Sequence, residues 1–235
     1  MNYNSPFIKM LETIANMLIA SFLWFVFSLP VLTIVPASAA LYHTTDRIIF
    51  GPGKGNGVFK DFFDSFKLNL IQGIKLDLLV IAAFLFLAEG LWTGIQIYKL
   101  SIWGTLYLVL GILIAVVLIT TIVYIPPVLS RFDAPVSSIL RLAVYFALRK
   151  PLRSLFYLVL FVFLCIAILS FPLALVIVPG LYADLVRTYL EKDLKAFIEE
   201  NGLEEKQDEQ EKEEEEEEDL SMADLEKDLK KGKRR

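Results

Sequence analysis

Three stretches of this chain, 13–45, 100–130 and 154–183, contain no Asp, Glu, Lys or Arg. Each exceeds the ~20 residues that carry a helix across a ~30 Å hydrocarbon layer at 1.5 Å per residue. A soluble domain needs charge spread along its length to cover its surface. Here 56% of 235 residues are hydrophobic, and the charge is gathered between the runs and at the C-terminus. The chain therefore reads as all-α, a polytopic membrane protein. About four transmembrane helices are expected, with amphipathic surface helices between them and a disordered acidic C-terminal tail. Lipid offers no partner to unpaired backbone amides, so every span must be helical.

The spans are expected at about 13–35, 76–98, 102–125 and 155–178, in a membrane domain of residues 1–198 followed by a tail of 199–235. Ala37-Ser38-Ala39 looks like a signal cleavage site. However, the apolar run from about Ile14 to Val35 is longer than the about 7–15 residues of a signal core, so it reads as an uncleaved span. Pro30 and Pro36 predict a kink or break in its last turns. Pro126-Pro127 is expected to end the third span. Pro172 falls inside the fourth, and Pro179-Gly180 closes it. The second span carries Glu89. A central charge costs about 2.5–3.5 kcal/mol. The Leu, Ile, Val and Phe residues around it return roughly 3–7 kcal/mol in sum, enough for insertion.

Between the first two spans, FKDFFDSFKLNL (59–70) sets Phe59, Phe62, Phe63 and Phe66 at helical spacing among charges, the pattern of a helix lying at the membrane surface. Residues 136–150 read the same way. GPGKGNG at 51–57 is a turn; with no preceding strand and no Gly-Lys-Ser/Thr, it is not a phosphate loop. A span ending in proline, a surface helix and a second span occur twice, in 13–98 and 102–178, but the aligned residues share little beyond apolar positions. Chance similarity is the safer reading.

Lys and Arg are concentrated in 36–77 and 130–154, which marks those connections as cytoplasmic. With four spans both termini would lie outside; a fifth span or a re-entrant segment near 30–50 would move the tail inside. Net charge, −4, averages this basic region with a Glu-rich tail. Glu213 to Glu218 repel one another and bury nothing, so disorder is expected there.

Few residues invite chemistry. The single Cys165 and single His43 exclude a disulfide or a multi-histidine metal site within the chain. No Ser-His-Asp set, acidic metal cluster or carboxylate pair is visible, so no enzyme, metal or cofactor is expected. No nucleic-acid partner is expected either. Glu89 is the best intramembrane candidate: it marks a proton or solute path with Lys99 or Thr93 as partner, or else lies near the interface beside Trp92. Lys75 and Asp77 read as interfacial charges, and His43 as a surface or headgroup contact. Trp24, Trp92, Trp103 and Tyr107 suit packing or anchoring. Gly104, Gly111 and Ala115 suit close helix packing, within the chain or in a homo-oligomer.

WFVFSLPVLTIVPASAALY, Trp24 to Tyr42, resembles the N-terminal signature of the YesL-like family of uncharacterised bacterial integral membrane proteins. Ser28, Leu29, Pro30, Thr33, Pro36, Ala40, Leu41 and Tyr42 fit it; Val35 stands where glycine is common. FFDSFKLN, with Phe62, Ser65, Phe66, Lys67 and Asn69, is a second match, and ALRKPLRSL (147–155) a weaker third. The resemblance covers about residues 10–195 and leaves out the Glu-rich tail. It implies a bacterial cytoplasmic membrane and an accessory or scaffold role beside carbohydrate uptake systems, with transporter subunits as partners. A small oligomeric transporter or channel with Glu89 on its pathway is the competing expectation.

Overall fold

The computed structural model describes residues 6–49, 57–171 and 174–201. Seven α-helices carry the chain: α1 (Pro6–Ser28), α2 (Ile34–Thr44), α3 (Val58–Ile97), α4 (Ile102–Arg131), α5 (Val136–Arg149), α6 (Pro151–Ser170) and α7 (Ala174–Asn201). A 3-10 turn, Val31–Thr33, precedes α2, and a π turn, Thr45–Ile49, follows it. Four helices, α1, α3, α4 and α6, are long and apolar enough to cross a membrane. The fold is that of a polytopic helical membrane protein.

Helix α1 ends at Ser28, where Pro30 removes a donor and fixes the backbone. Thr33 steadies the break by donating its hydroxyl to the Phe27 and Pro30 carbonyls, both at 2.6 Å. The chain then turns into α2, whose residues from Val35 to Thr44 are almost all buried. The expected single span of 13–35 is thus a span joined to a short inner helix.

The stretch read as a separate surface helix, 59–70, is continuous with the second span. No proline interrupts 58–97, so α3 runs 40 residues, about 60 Å at 1.5 Å per residue. Its buried positions Val58, Phe62, Ser65, Phe66, Asn69, Gly73, Leu76 and Asp77 form a stripe along its first half, and beyond them only Gly94, at the hairpin contact, is buried. That stripe packs on α2 and the end of α1, with the Phe27 ring 4.8 Å from Phe66 and 5.7 Å from Phe62. Beyond Asp77, α3 pairs with α4 as a hairpin whose remaining surface is open. Phe86 is 84% exposed there and Trp103 76%, a surface suited only to lipid or an interface. Gly104 permits the close approach at the hairpin turn, since a Cβ there would stand 2.2 Å from the Ile97 carbonyl oxygen. The small residues Gly94, Gly104 and Gly111 serve this contact within the chain.

Two proline expectations fail for one reason. Pro126-Pro127 do not end α4, which continues to Arg131, and Pro179-Gly180 lie inside α7. A proline in a helix interior loses one hydrogen bond, and neighbouring helices can hold the segment together regardless. In α4 the residues around the pair, Ile125, Val128 and Leu129, are fully buried in the main core. In α7 the amide N–H of Gly180 donates to the Ser21 hydroxyl of α1, 2.9 Å away. The fourth expected span, 155–178, instead ends at Ser170.

Helix α7 runs antiparallel to α6: Phe161 meets Tyr182, and Arg153 meets Asp193 at 2.9 Å. It therefore returns the chain to the side where α6 begins. Arg187, Lys192 and Lys195 thus lie on the side of Lys150 and Arg153, so the end of α7 is not across from the basic connections, as four spans alone would place it. The core lies there too, built from α2, the end of α4, α5 and the second half of α7.

Asp77 is a buried clamp, not an interfacial charge. Both its carboxylate oxygens accept from the Val35 amide, at 3.1 and 3.2 Å, satisfying one of the orphan N–H groups at the start of α2. Asp77→Ala is expected to cost about 1 kcal/mol, the usual loss for an N-cap acceptor, read as a lower unfolding midpoint in detergent. Asp77→Asn, which keeps an acceptor oxygen, is expected to lose less.

Candidate functional site

The end of α4, the π turn after α2 and the middle of α7 converge on one charged knot. Arg131, the last residue of α4, is 2% exposed, and its Nη2 donates to both the Asp46 and Glu191 carboxylates. Arg187 Nη1 reaches the other Asp46 oxygen at 3.1 Å. Tyr42 of α2 donates its hydroxyl to Glu191 at 3.3 Å, and Lys195 approaches Glu191 from the more exposed edge at 3.5 Å. Arg131 and Arg187 thus face Asp46 and Glu191 at the centre, with Asp184 3.5 Å from Arg187 and Lys195 at the edge, so these cations and carboxylates balance three to three. Neutrality is the condition under which charges tolerate burial.

Burial pushes the Glu191 carboxyl above its ordinary range, against the opposing pull of Arg131. Burial likewise pushes the Tyr42 hydroxyl well above its ordinary value, so it stays a donor. The arrangement bolts three helices together and supplies no nucleophile–base pair. Among the described residues no group of three or more His, Cys, Asp or Glu could hold a metal ion.

Beside the knot lies an apolar cavity of about 630 Å³ between α1, α2, α4, α6 and α7. Trp24, Pro126, Cys165 and Tyr182 are in its wall, and Tyr42 belongs to both cavity and knot. Trp24 is fixed by donating to the Ser38 hydroxyl at 2.9 Å.

The structure brings the two family-like motifs together. Phe62, Ser65, Phe66 and Asn69 face inward from α3, while Lys67 is exposed, its ammonium 4.5 Å from the Phe63 ring centre. Pro36 packs on Gly73, where a Cβ would come within 2.6 Å of the proline ring. Leu29 and Pro30 are exposed at the break, whereas Ser28 and Leu29 also border the cavity. His43 is buried, not at a headgroup surface. Glu89 is exposed on the outer face of α3, far along the helix from Asp77, and among the described residues no ion pair or hydrogen bond reaches it. Lys99 instead stacks on Tyr98. Residues 51–56 of the glycine-rich turn, Pro172 and the tail from 202 onward lie outside the described residues.

Sequence reasoning missed the knot. Asp46, Arg131 and Glu191 were legible only as loop or boundary charges. The available signal was that Asp46 and Arg131 each sit at the edge of a charge-free run, where a helix end meets the core.

Fold and site define a multi-pass helical membrane protein closed at one face by a buried ion-pair network. Residues 17–90 match the family model described as "Protein of unknown function, DUF624", a stretch that holds both motifs of the resemblance. No curated protein and no solved structure matches the chain.

Proposed function

We propose that the protein is a non-enzymatic accessory or scaffold component of the bacterial cytoplasmic membrane, linked to carbohydrate uptake. The observation that carries this reading is where its rigidity lies. The apolar helices are open along most of their length, while packing and charge pairing are concentrated at the lysine- and arginine-rich end. On the positive-inside rule that end is cytoplasmic. There the first half of α3, α5 and the end of α7 form a braced platform, suited to holding another protein in register. The likeness to YesL-like proteins, whose genes often neighbour carbohydrate systems, supplies the proposed partner class. That is an association with no mechanism behind it.

The test is capture of the tagged chain from native membranes, followed by identification of what comes with it. Permease subunits of a carbohydrate transporter are the expected partners; a chain recovered alone after mild solubilisation would end this reading. Glu89→Gln is expected to leave that capture unchanged, because the carboxylate faces away from the platform. A liposome flux abolished by Glu89→Gln would instead favour a transporter.

A further inference from the structure

We propose that the apolar cavity is a binding site for one acyl chain of a membrane phospholipid. Three observations converge. The first is size. The cavity's ~630 Å³ is room for about twenty groups of ~30 Å³, the volume of one water and close to that of a methylene. The second is length. Leu175 and Val186 both border it, and that separation along α7 is about 16 Å at 1.5 Å per residue, half of a ~30 Å hydrocarbon layer. A cavity one leaflet deep fits a chain that is one leaflet long. The third is chemistry. A space lined in this way favours hydrocarbon over water, yet two lining residues, Ser28 and Tyr182, carry hydroxyls shielded from water and without a hydrogen-bond partner among the described residues. Pure hydrocarbon leaves both unmet, whereas an acyl ester brings acceptor oxygens.

Two residues in its wall, Leu29 and Leu169, are 64% and 84% exposed, so a chain can enter there from the bilayer. Its ester end lies toward the hydroxyls of Ser28 and Tyr182, the two that lack a partner among the described residues. The tail fills the remaining apolar space, and Cys165 lies in the wall of that space.

Trp24 and Cys165 both line the cavity and can report on it. Trp92 and Trp103 are 63% and 76% exposed on the hairpin, so Trp92→Phe with Trp103→Phe leaves Trp24 as the single indole without touching the cavity. This chain, purified in detergent, is titrated with phosphatidylcholine carrying a brominated acyl chain. Trp24 emission is expected to fall and level off near one lipid per chain. Quenching that grows in proportion to lipid without levelling off overturns the site. So does saturation by a bare alkane or free fatty acid but not by phospholipid.

In the unmodified chain, reaction of Cys165 with a small thiol reagent is expected to slow about tenfold at lipid about ten times its Kd, when roughly a tenth of sites stay free. An unchanged rate overturns the proposal. Protection that follows protein concentration without lipid assigns the cavity to a second copy and also overturns it. Neither readout depends on a transporter partner, so failure here and failure of the scaffold reading are separable.

Discussion

Arg131→Met is expected to cost about 3–5 kcal/mol of stability, because removing one member of a buried pair leaves the other uncompensated. The arginine touches both Asp46 and Glu191. Without it Asp46 keeps Arg187, but Glu191 is left to the more exposed Lys195 in a site already costly to charge. Unfolding of the detergent-solubilised chain by heat or by increasing SDS reads the loss. Arg131→Lys is expected to fall between the two, since one ammonium cannot match a planar guanidinium against two carboxylates. Arg131→Met with Glu191→Gln is expected to lose less than the sum of the single changes, the signature of direct coupling.

The loss also carries a pH sign. Burial already holds the Glu191 carboxyl above its ordinary range while Arg131 pulls it down. Removing the cation raises it further. A carboxyl raised in the folded state is stable there protonated, and that contribution disappears as pH rises through its folded value. The Arg131→Met chain should therefore lie closest to the parent in acid and furthest from it above neutrality. A gap that widens on acidification would contradict the knot.

Gly73→Val is the second large effect. A Cβ at Gly73 would lie 2.6 Å from Cδ of Pro36 and 2.7 Å from its Cβ, and a proline ring cannot swing aside. Overpacking of this kind costs about 1–3 kcal/mol. It falls on the contact that sets α2 against α3, so a drop in Asp77's grip on the Val35 amide is expected with it. Pro36→Ala should relieve part of the damage; a fully additive pair would show that the clash lies elsewhere. The measurement is the same unfolding midpoint.

Much of the fold was legible because charge-free length admits so few solutions. The four apolar helices, the break after Ser28 and the separate helix at 136–149 all follow from hydropathy, proline and amphipathic spacing. The errors cluster where tertiary packing outweighs a local rule. Pro126-Pro127 sit in a helix held by the buried Ile125, Val128 and Leu129 beside them, and Gly180's amide finds Ser21 across the helix boundary. Residues 59–70 have the pattern of a surface helix, yet their apolar stripe is matched by Phe27 and α2. The knot was illegible for a different reason. Asp46, Arg131 and Glu191 are far apart in sequence, and nothing in any one neighbourhood says that they meet. Glu89, conspicuous along the chain, stands apart in space.

The 40-residue α3 has one end in the open hairpin and the other in the packed platform. With no proline in it, it behaves as a stiff lever across the membrane boundary. A tilt of about 10° imposed on the apolar half would swing a point ~30 Å away on the other half by about 5 Å. Local changes in bilayer thickness would thereby reach whatever rests on the far arm as displacement.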